Sequence, residues 1–346
     1  MFRQSQIQSS NVSSQSQYQE KEFVYDACFG AQTSQEEIFE DTKMLIQSGI
    51  DGFNVCIFAY GQTGSGKTYT VSGAPNNMGI VPRSFMEMFS IRQRLEKDDH
   101  FTVRFECYMV ELYLDKLNDL LTGGARNANQ SSINNKDKLE IREDAKTGLV
   151  YIQNAKQKTL NSFQEALDTF ETGLKSRKVQ STEMNDLSSR SHLIFGIVIE
   201  TKNNNTGEVS RGKLSFVDLA GSERLNKANP RNNIERQRES NAINLSLKSL
   251  GDVIQCLSNG NVSKAHIPYR DNKLTHLMKD SLGGNSKTLM FVNVSPADYN
   301  SSESDYSLRF GNRVKMIQND VTKNVESEQV QKLKEDNELL RKKLGI

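Results

Sequence analysis

The sequence predicts a three-layer α/β fold in which helices flank a central, mostly parallel sheet. Short apolar runs that are typical of buried strands lie at 53–60, 193–200, 213–219 and 289–294, and segments with helical periodicity separate several of them. A glycine-rich loop with the spacing of a phosphate-binding motif follows the first run directly. Buried strands that alternate with helices, with such a loop after the first strand, indicate a P-loop nucleotide-binding domain.

The chain divides into three segments of different composition. Thirteen of the first 20 residues are Gln, Ser or Asn, and such a stretch buries too little apolar surface to offset the entropy of ordering it. Residues 1–22 are therefore predicted to be disordered. Residues 23–319 carry the alternating pattern of the α/β domain. Residues 320–346 are charged and are predicted to form a neck-like or coiled-coil helix.

Local signals place the elements of the domain. Ser34 and Glu37 form a capping box that begins a first helix, and Pro82 marks the start of a second. Residues 101–112 are predicted to form a strand, and the Gly- and Asn-rich residues 122–138 a loop. Further helices are predicted at 160–175, 234–257, 272–281 and 301–317, and a polar turn at 203–207.

The charged tail carries an apolar seam. Its members recur at alternating spacings of three and four residues, which is the pattern of a coiled coil. They are Val330, Leu333, Asn337, Leu340 and Leu344. The seam either associates with a second copy or a partner chain through residues 326–344, or folds back on the domain as a regulatory neck-like helix.

Charge and composition exclude several classes of protein. The 44 Lys and Arg residues nearly balance the 43 Asp and Glu residues, and a net charge of +1 argues against a protein that coats nucleic acid. The longest strongly apolar run, residues 55–60, is too short to cross a bilayer, and no signal-peptide pattern begins the chain. The four cysteines form no paired motif, so neither a zinc site nor a disulfide framework is expected. A soluble intracellular protein that binds neither nucleic acid nor membrane is predicted.

The motif with the clearest chemistry runs from Gly61 to Thr68. Its glycines allow the loop to wrap so that backbone N–H groups point at phosphate oxygens. Lys67 is expected to reach the terminal phosphates and Thr68 to hold Mg²⁺. The motif predicts phosphate binding, against the alternative of a glycine-rich turn without a ligand. The loop residues between these ends are Gln62, Thr63, Gly64, Ser65 and Gly66.

Two further segments are candidates for contact with the terminal phosphate. Asp218 ends a predicted strand and can reach the metal, while the backbone N–H of Gly221 can sense the γ-phosphate. Residues 185–192 (NDLSSRSH) place hydroxyls and an arginine just before another strand. Alone, each segment would be a strand-ending turn or a serine-rich helix cap. Together with the phosphate loop they indicate a nucleotide-hydrolysing site.

Four strings in this order, FAYGQTGSGKT, NDLSSRSH, DLAGSE and HIPYRDNKLT, resemble the motor domain of the kinesins over residues 23–319. The fuller strings FNVCIFAYGQTGSGKTYT and RGKLSFVDLAGSER are most similar to the class-fourteen kinesins, among them the calmodulin-binding kinesins. The resemblance implies ATP and Mg²⁺ as cofactors and microtubules as the partner. It also implies a location in the cytoplasm on the microtubule cytoskeleton, with the spindle as one candidate, and a calmodulin-type regulator outside this chain.

The resemblance assigns further residues to the nucleotide site. The residues that fall in the two switches of the family are Ser188, Ser189, Arg190, Asp218, Gly221 and Glu223. It implies that Arg190 and Glu223 form an ion pair during hydrolysis and that Ser189 joins the Mg²⁺ ligands. Tyr69 matches the position that stacks on adenine, and a core aromatic is an equal alternative from the sequence.

A basic stretch is the candidate polymer surface. Residues 227–287 contain ten Lys or Arg and five Asp or Glu, whereas the rest of the chain is slightly acidic. Such a stretch suits an acidic partner such as tubulin, and the alternative is an ordinary solvated helix face. The resemblance places this surface against the microtubule, with Arg270 and Lys273 as the first candidates and Lys248 and Lys264 as further ones.

The sequence departs from the family in three places. The family begins with a central strand that nothing before Phe23 matches, so the first strand is expected to be missing. The chain is then truncated, or its N-terminus replaces the strand, or the domain is a degenerate motor. Leu245 stands where the family has a lysine on the microtubule-facing helix, and the loop after Arg224 is slightly longer.

Two functions are compatible with the sequence. The first is an ATP-driven microtubule motor domain, a microtubule-stimulated ATPase, for which the class implies movement toward the minus end. The second is a degenerate or truncated motor-homology module that binds microtubules or a partner motor without ATP turnover. The intact Lys67, Arg190 and Glu223 favour the motor, and the missing strand favours the alternative.

Overall fold

The computed structural model describes residues 20–122, 138–144, 148–179, 189–223, 234–259 and 266–326, together with Leu333, Leu340 and Arg341. Within these ranges the chain forms a mixed sheet between two layers of helices. Several predictions fall outside the described residues. They concern residues 1–19, most of the loop at 122–138, Ser188, Lys264 and most of the seam at 330–344.

The long elements agree with the predicted ones apart from their ends. The described helices are α1 (Gln35–Ile50), α2 (Lys67–Val71), α3 (Ile80–Glu96), α4 (Phe163–Val179), α5 (Ile234–Ser258), α6 (Lys273–Leu277) and α7 (Ser301–Val314). The described strands are β1 (Asn54–Tyr60), β2 (Gly73–Ala74), β3 (Asn77–Met78), β4 (Phe101–Tyr113), β5 (Lys116–Asp119), β6 (Glu140–Glu143), β7 (Val150–Gln153), β8 (Lys158–Thr159), β9 (His192–Asn203), β10 (Val209–Asp218), β11 (Lys287–Val292) and β12 (Val325–Glu326). The helix predicted at 272–281 is the shorter α6.

The main sheet has the strand order β11, β1, β10, β9, β4 and β5. β1 is parallel to β10 and β11, whereas β9 is antiparallel to both β10 and β4. The sheet is therefore mixed, and the prediction of a mostly parallel sheet is wrong in this respect. For β9 with β10 and for β4 with β5 the cause is local, because strands that follow one another through a short turn pair antiparallel. Leu114 and Asp115, for example, both adopt positive φ (49° and 56°) and turn β4 directly into β5.

Two apolar clusters cover the two faces of the sheet, and β1 contributes to both. Alternate side chains of this strand belong to different clusters, as the pleat of a strand requires. Those of the first cluster are Val55, Ile57 and Ala59, and those of the second are Cys56, Phe58 and Tyr60. On the second side, the Tyr60 ring stacks on Phe310 of α7 with 4.1 Å between the ring centroids. Burial on both faces explains why β1 appears in the sequence as a continuous apolar run.

β11 forms one edge of the sheet. Among the described residues it pairs only with β1, and all six of its residues are half-buried. Leu289 and Phe291 pack against the first cluster and Met290 against the second, so both faces of this strand are covered and only its edge is open. No described strand lies on that edge. The first described residues instead pack on α7, where the Tyr25 hydroxyl donates to the carbonyl oxygen of Leu308 at 2.5 Å.

After α7 the chain crosses the end of the sheet in an extended form. The side-chain amide of Asn319 donates to the carbonyl oxygen of Ser286 at 2.7 Å, and that of Asn324 to the carbonyl oxygen of Gly52 at 3.2 Å. The chain then forms β12 beside β10. Residues 320–326 therefore do not begin the predicted neck-like helix, because side-chain amides and strand pairing hold them extended.

Candidate nucleotide site

The phosphate loop follows β1, and its conformation explains its glycines. Gly61, Gly64 and Gly66 have positive φ angles of 151°, 79° and 100°. At Gly61 the constraint is also steric, because a Cβ would lie 2.1 Å from the carbonyl oxygen of Asn293. The loop is thus built by backbone geometry, which is the arrangement that presents N–H groups to phosphate.

Lys67 begins α2 and points back into the loop. Its buried ammonium donates to the carbonyl oxygen of Gln62 at 2.8 Å. Burial lowers the pKa of Lys67, and the carboxylates of Asp218 and Glu223 partly oppose this effect. The side chain is therefore already held at the place where the sequence expects an anion.

Thr68 and Asp218 meet at the mouth of the loop, as the sequence predicts. Asp218 ends β10 in parallel register with β1, so the loop and this carboxylate emerge at the same edge of the sheet. The Thr68 hydroxyl donates to Asp218 Oδ2 at 2.7 Å, while Asp218 Oδ1 is buried without a hydrogen-bond partner among the described residues.

The oxygen donors at this point fit Mg²⁺. A hydroxyl beside a carboxylate is a donor set that this cation prefers, and a buried carboxylate oxygen without a partner is a place for it or its water. In the part of the chain that the structure describes, no three His, Cys, Asp or Glu side chains form a metal-binding group. A cation here would therefore depend on hydroxyls, water and the nucleotide for its other ligands.

Arg177 is a member of the site that no motif indicates. This buried side chain of α4 lies with Nη1 3.4 Å from Asp218 Oδ2 and Nε 3.8 Å from Glu111 Oε1. Its Nη2 also donates to the carbonyl oxygen of Ser191 at 2.9 Å. A usable signal exists in the sequence, because Arg177 follows the core residue Phe170 by seven positions on the same helix face.

The two switch segments meet through their backbones. The N–H of Gly221, predicted to sense the γ-phosphate, donates to the carbonyl oxygen of Ser189 at 2.9 Å. A Cβ on Gly221 would lie 2.3 Å from the Thr63 hydroxyl oxygen and 2.4 Å from Glu223 Oε2. A side chain at position 221 would therefore displace the Thr63 and Glu223 side chains from their contact with each other.

In the described conformation Arg190 and Glu223 have other partners, and the ion pair that the resemblance implies during hydrolysis stays a prediction. Glu223 instead accepts hydrogen bonds from the Thr63 N–H at 2.7 Å and the Thr63 hydroxyl at 2.5 Å. Arg190 donates to Glu239 of α5 at 2.6 Å, and Glu239 also accepts from the Tyr113 hydroxyl. Each charged group is satisfied by another partner, which is the physical reason that the expected pair is absent in this conformation.

Comparison with known proteins identifies the family. A family model described as the kinesin motor domain matches residues 2–317. The chain belongs to the kinesin motor domain family. Kinesin motor domains are microtubule-stimulated ATPases, and the mixed sheet flanked by helices is the kinesin motor fold.

Individual kinesins show how far the similarity extends. The kinesin-like proteins KIN-14I from Oryza sativa subsp. japonica and KIN-14E from Arabidopsis thaliana are each 49% identical to this chain over 91% of its length. The chain spans only 24% of the length of each of these relatives. The solved motor domain of the Kar3-like kinesin from Ashbya gossypii superposes with a TM-score of 0.68 at 39% identity, covering 85% of this chain and 84% of that one.

Tyr69 lies on the surface of this kinesin motor domain. Its side chain is 47% exposed, and its hydroxyl accepts a hydrogen bond from the Asn77 amide at 2.7 Å. Exposure of this kind is incompatible with the alternative role of a core aromatic. The adenine contact that the kinesin resemblance implies stays a prediction.

The basic residues of the candidate microtubule surface differ in their exposure to solvent. Lys248 of α5 and Arg270 are exposed. Lys273 is half-buried and donates to the carbonyl oxygen of Asp115 at 2.5 Å. Leu245, at the position where kinesins carry a lysine, is 56% exposed beside Lys248 on the outer face of α5. Microtubule contact by these residues stays a prediction.

Across the described ranges, no helix is both long enough and apolar enough to cross a bilayer.

Proposed function

We propose that this chain couples the hydrolysis of Mg·ATP to microtubule binding and to movement toward the minus end. The observation that carries the proposal is the contact of the Thr68 hydroxyl with Asp218, which joins the phosphate loop to the end of β10. The proposed direction rests on the similarity to class-fourteen kinesins alone.

The residues of the nucleotide site would act by position and charge. The loop N–H groups and Lys67 would bind the phosphates, and Thr68, Ser189 and Asp218 would hold Mg²⁺. Bound Mg²⁺ neutralises phosphate charge as it develops during phosphoryl transfer. Arg177 would keep Asp218 in place, because its guanidinium lies against that carboxylate in a buried site.

Hydrolysis would require the two switches to rearrange. Arg190 has to leave Glu239, and Glu223 has to leave Thr63, before they can form the ion pair that kinesin resemblance implies. A closed pair would position the attacking water and exclude bulk solvent, which is catalysis by orientation and electrostatics. The described conformation would then be the one that precedes closure.

The polymer surface would lie on the outer side of α5. Lys248 and Arg270 supply exposed positive charge, so binding to acidic tubulin would weaken as salt is added. The tail would provide a second surface. Leu333 and Leu340, seven residues apart, are both exposed and would face a second copy or a partner chain in a coiled coil.

ATP turnover with and without microtubules tests the proposal. We expect microtubules to stimulate turnover by the purified chain, and Lys67→Ala to lower the rate by about 100-fold or more, since it removes one charged phosphate ligand. Lys97→Ala, at an exposed position after α3, is the matched control and should leave the rate unchanged. Polarity-marked microtubules on a motor-coated surface should glide with the plus end leading.

Microtubule binding without turnover above that of Lys67→Ala would contradict the motor proposal. The chain would then be the motor-homology module that the sequence leaves as the alternative.

A further inference from the structure

A chain of four hydrogen-bonding groups connects the second switch to α5. The backbone N–H of Ala220 donates to His192 Nδ1 at 3.1 Å, and His192 Nε2 lies 2.9 Å from the Ser246 hydroxyl oxygen. The Ser246 hydroxyl in turn lies 2.8 Å from the carbonyl oxygen of Ile243. All four residues are buried, and His192 is only 3% exposed.

The donors and acceptors of this hydrogen-bond chain allow only one placement of its protons. A backbone N–H can only donate, so His192 Nδ1 carries no proton and Nε2 carries the proton of the neutral ring. The carbonyl oxygen of Ile243 can only accept, so the Ser246 hydroxyl gives its proton there and accepts from Nε2–H. Burial, together with the nearby charges of Arg177 and Lys67, lowers the pKa of His192 to about 3 and keeps the ring neutral.

The two ends of this hydrogen-bond chain lie at the nucleotide site and at α5, the helix of the candidate microtubule surface. Ala220 lies between Asp218, at the mouth of the phosphate loop, and Gly221, whose N–H meets the first switch. Ser246 lies on the inner face of α5, whose outer face carries the exposed Lys248. Leu219 of the second switch and Leu247 of α5 belong to one apolar cluster, and apolar contacts do not fix orientation as hydrogen bonds do.

We propose that His192 is a positioning residue that transmits movements of the second switch to α5. Its two hydrogen bonds form a bridge from Ala220 to Ser246, and this bridge couples the nucleotide site to the microtubule surface. This inference rests on the proposed function. A displacement of Ala220 would pull on Ser246 through the ring, because both hydrogen bonds are buried and breaking either one costs the free energy of a lost buried partner.

Ser246 variants test the bridge without changing the nucleotide site. Ser246→Ala removes the hydroxyl, Ser246→Thr keeps it, and Ser249→Ala removes an equally buried hydroxyl of α5 outside the bridge. We expect Ser246→Ala to lower microtubule stimulation of ATP turnover by about fivefold or more, a typical size of coupling between sites. The basal rate and the microtubule dissociation constant should stay within about twofold of the parent chain.

The two control variants separate the hydrogen bond from general packing. Ser246→Thr should recover at least half of the stimulation, and Ser249→Ala should keep all of it. Full stimulation in Ser246→Ala, or an equal loss in Ser246→Ala and Ser249→Ala, would overturn the proposal.

Hydrogen exchange tests the bridge independently of microtubules. Addition of Mg²⁺ with a non-hydrolysable ATP analogue should change the amide protection of residues 243–250 in the parent chain and in Ser246→Thr and Ser249→Ala, but not in Ser246→Ala. If the parent chain lacks microtubule-stimulated turnover, the proposed function fails, whereas this exchange experiment still decides the bridge. Nucleotide-independent protection in the parent chain, or an unaltered response in Ser246→Ala, would overturn it.

Discussion

The phosphate loop and the switch side chains Arg190 and Glu223 are determined by the sequence to different degrees. In the loop, Lys67 donates to the Gln62 carbonyl oxygen and Thr68 to Asp218, while their contacts with phosphate and Mg²⁺ stay predictions. The two switch residues, predicted to pair, are held instead by Glu239 and Thr63.

The difference follows from how each region is built. The loop is a backbone conformation within eight residues, and three glycines with positive φ specify it locally. A pair between charged side chains is one of several pairings of similar energy, because partly exposed ion pairs differ by only about 1 kcal/mol or less. A short motif therefore encodes a loop, whereas partner choice among distant charges depends on the state of the protein.

The largest expected effect comes from Glu223→Gln, which separates the two regions. The amide keeps the size of the side chain but cannot form an ion pair with Arg190. We expect ATP turnover to fall by about 100-fold, since a group that acts in the transition state is lost. Affinity for Mg·ADP should stay within about threefold, because the loop itself is unchanged. Stopped-flow turnover and titration with a fluorescent nucleotide measure the two quantities.

Glu22→Gln, at an exposed position near the start of the described chain, is the control for a lost carboxylate. If Glu223→Gln loses nucleotide affinity to the same extent as turnover, the loop depends on the switch. The loop and the second switch would then not be independent of each other.

The elements that the sequence predicts well share one physical property. α1, β1, β4, β9, β10 and α5 are long, and each has its own cap, periodicity or continuous apolar run. The relative direction of paired strands is not encoded by signals within one element. The sequence shows that β9 and β10 exist, but the antiparallel pairing of β9 with β4 brings together residues about 90 positions apart, as in the pair Cys107 and Ile197.

The buried polar groups of the site show a second limit. The spacing of Arg177 from Phe170 indicates a buried helix face, but only the packed structure places this arginine between Asp218 and Glu111. The tail is a similar case, because Asn324 is held by the distant Gly52. A neck-like helix is predicted from residue 320, and long-range amide contacts and strand pairing hold residues 320–326 extended instead.

Acid is expected to have an intermediate effect on the free energy of unfolding. The dependence on pH tests whether the interior of the switch region is as rigid as the phosphate loop. His192 has an ordinary pKa of 6.5 that is lowered to about 3 in the folded chain, mainly by burial and further by Arg177 and Lys67. As pH falls below 6.5, the unfolded chain binds a proton at this residue and the folded chain does not. Its contribution to stability is therefore complete above pH 6.5 and is lost as pH falls toward 3.

Urea unfolding at a series of pH values measures this contribution. Between pH 6 and pH 4 the free energy of unfolding of the parent chain should fall more steeply than that of His192→Gln, by up to about 1.4 kcal/mol per pH unit for one proton. A constant offset between the two curves is irrelevant, since only the slopes are compared. Parallel curves would show that the ring is accessible to protons in the folded chain, and that this part of the switch region opens readily.

The smallest expected effect is the free energy of the Arg190 contact itself. A double-mutant cycle on the free energy of unfolding, with Arg190→Ala and Glu239→Gln, should give a coupling of about 0.5–1 kcal/mol for side chains that are 25% and 11% exposed. The same cycle with Arg190→Ala and Glu223→Gln should give a coupling near zero. With Mg²⁺ and a non-hydrolysable ATP analogue present, the larger coupling should move from Glu239 to Glu223. Coupling that stays with Glu239 in both conditions would mean that Arg190 is a fixed structural residue like those of the loop, and that closure of the site uses another cation.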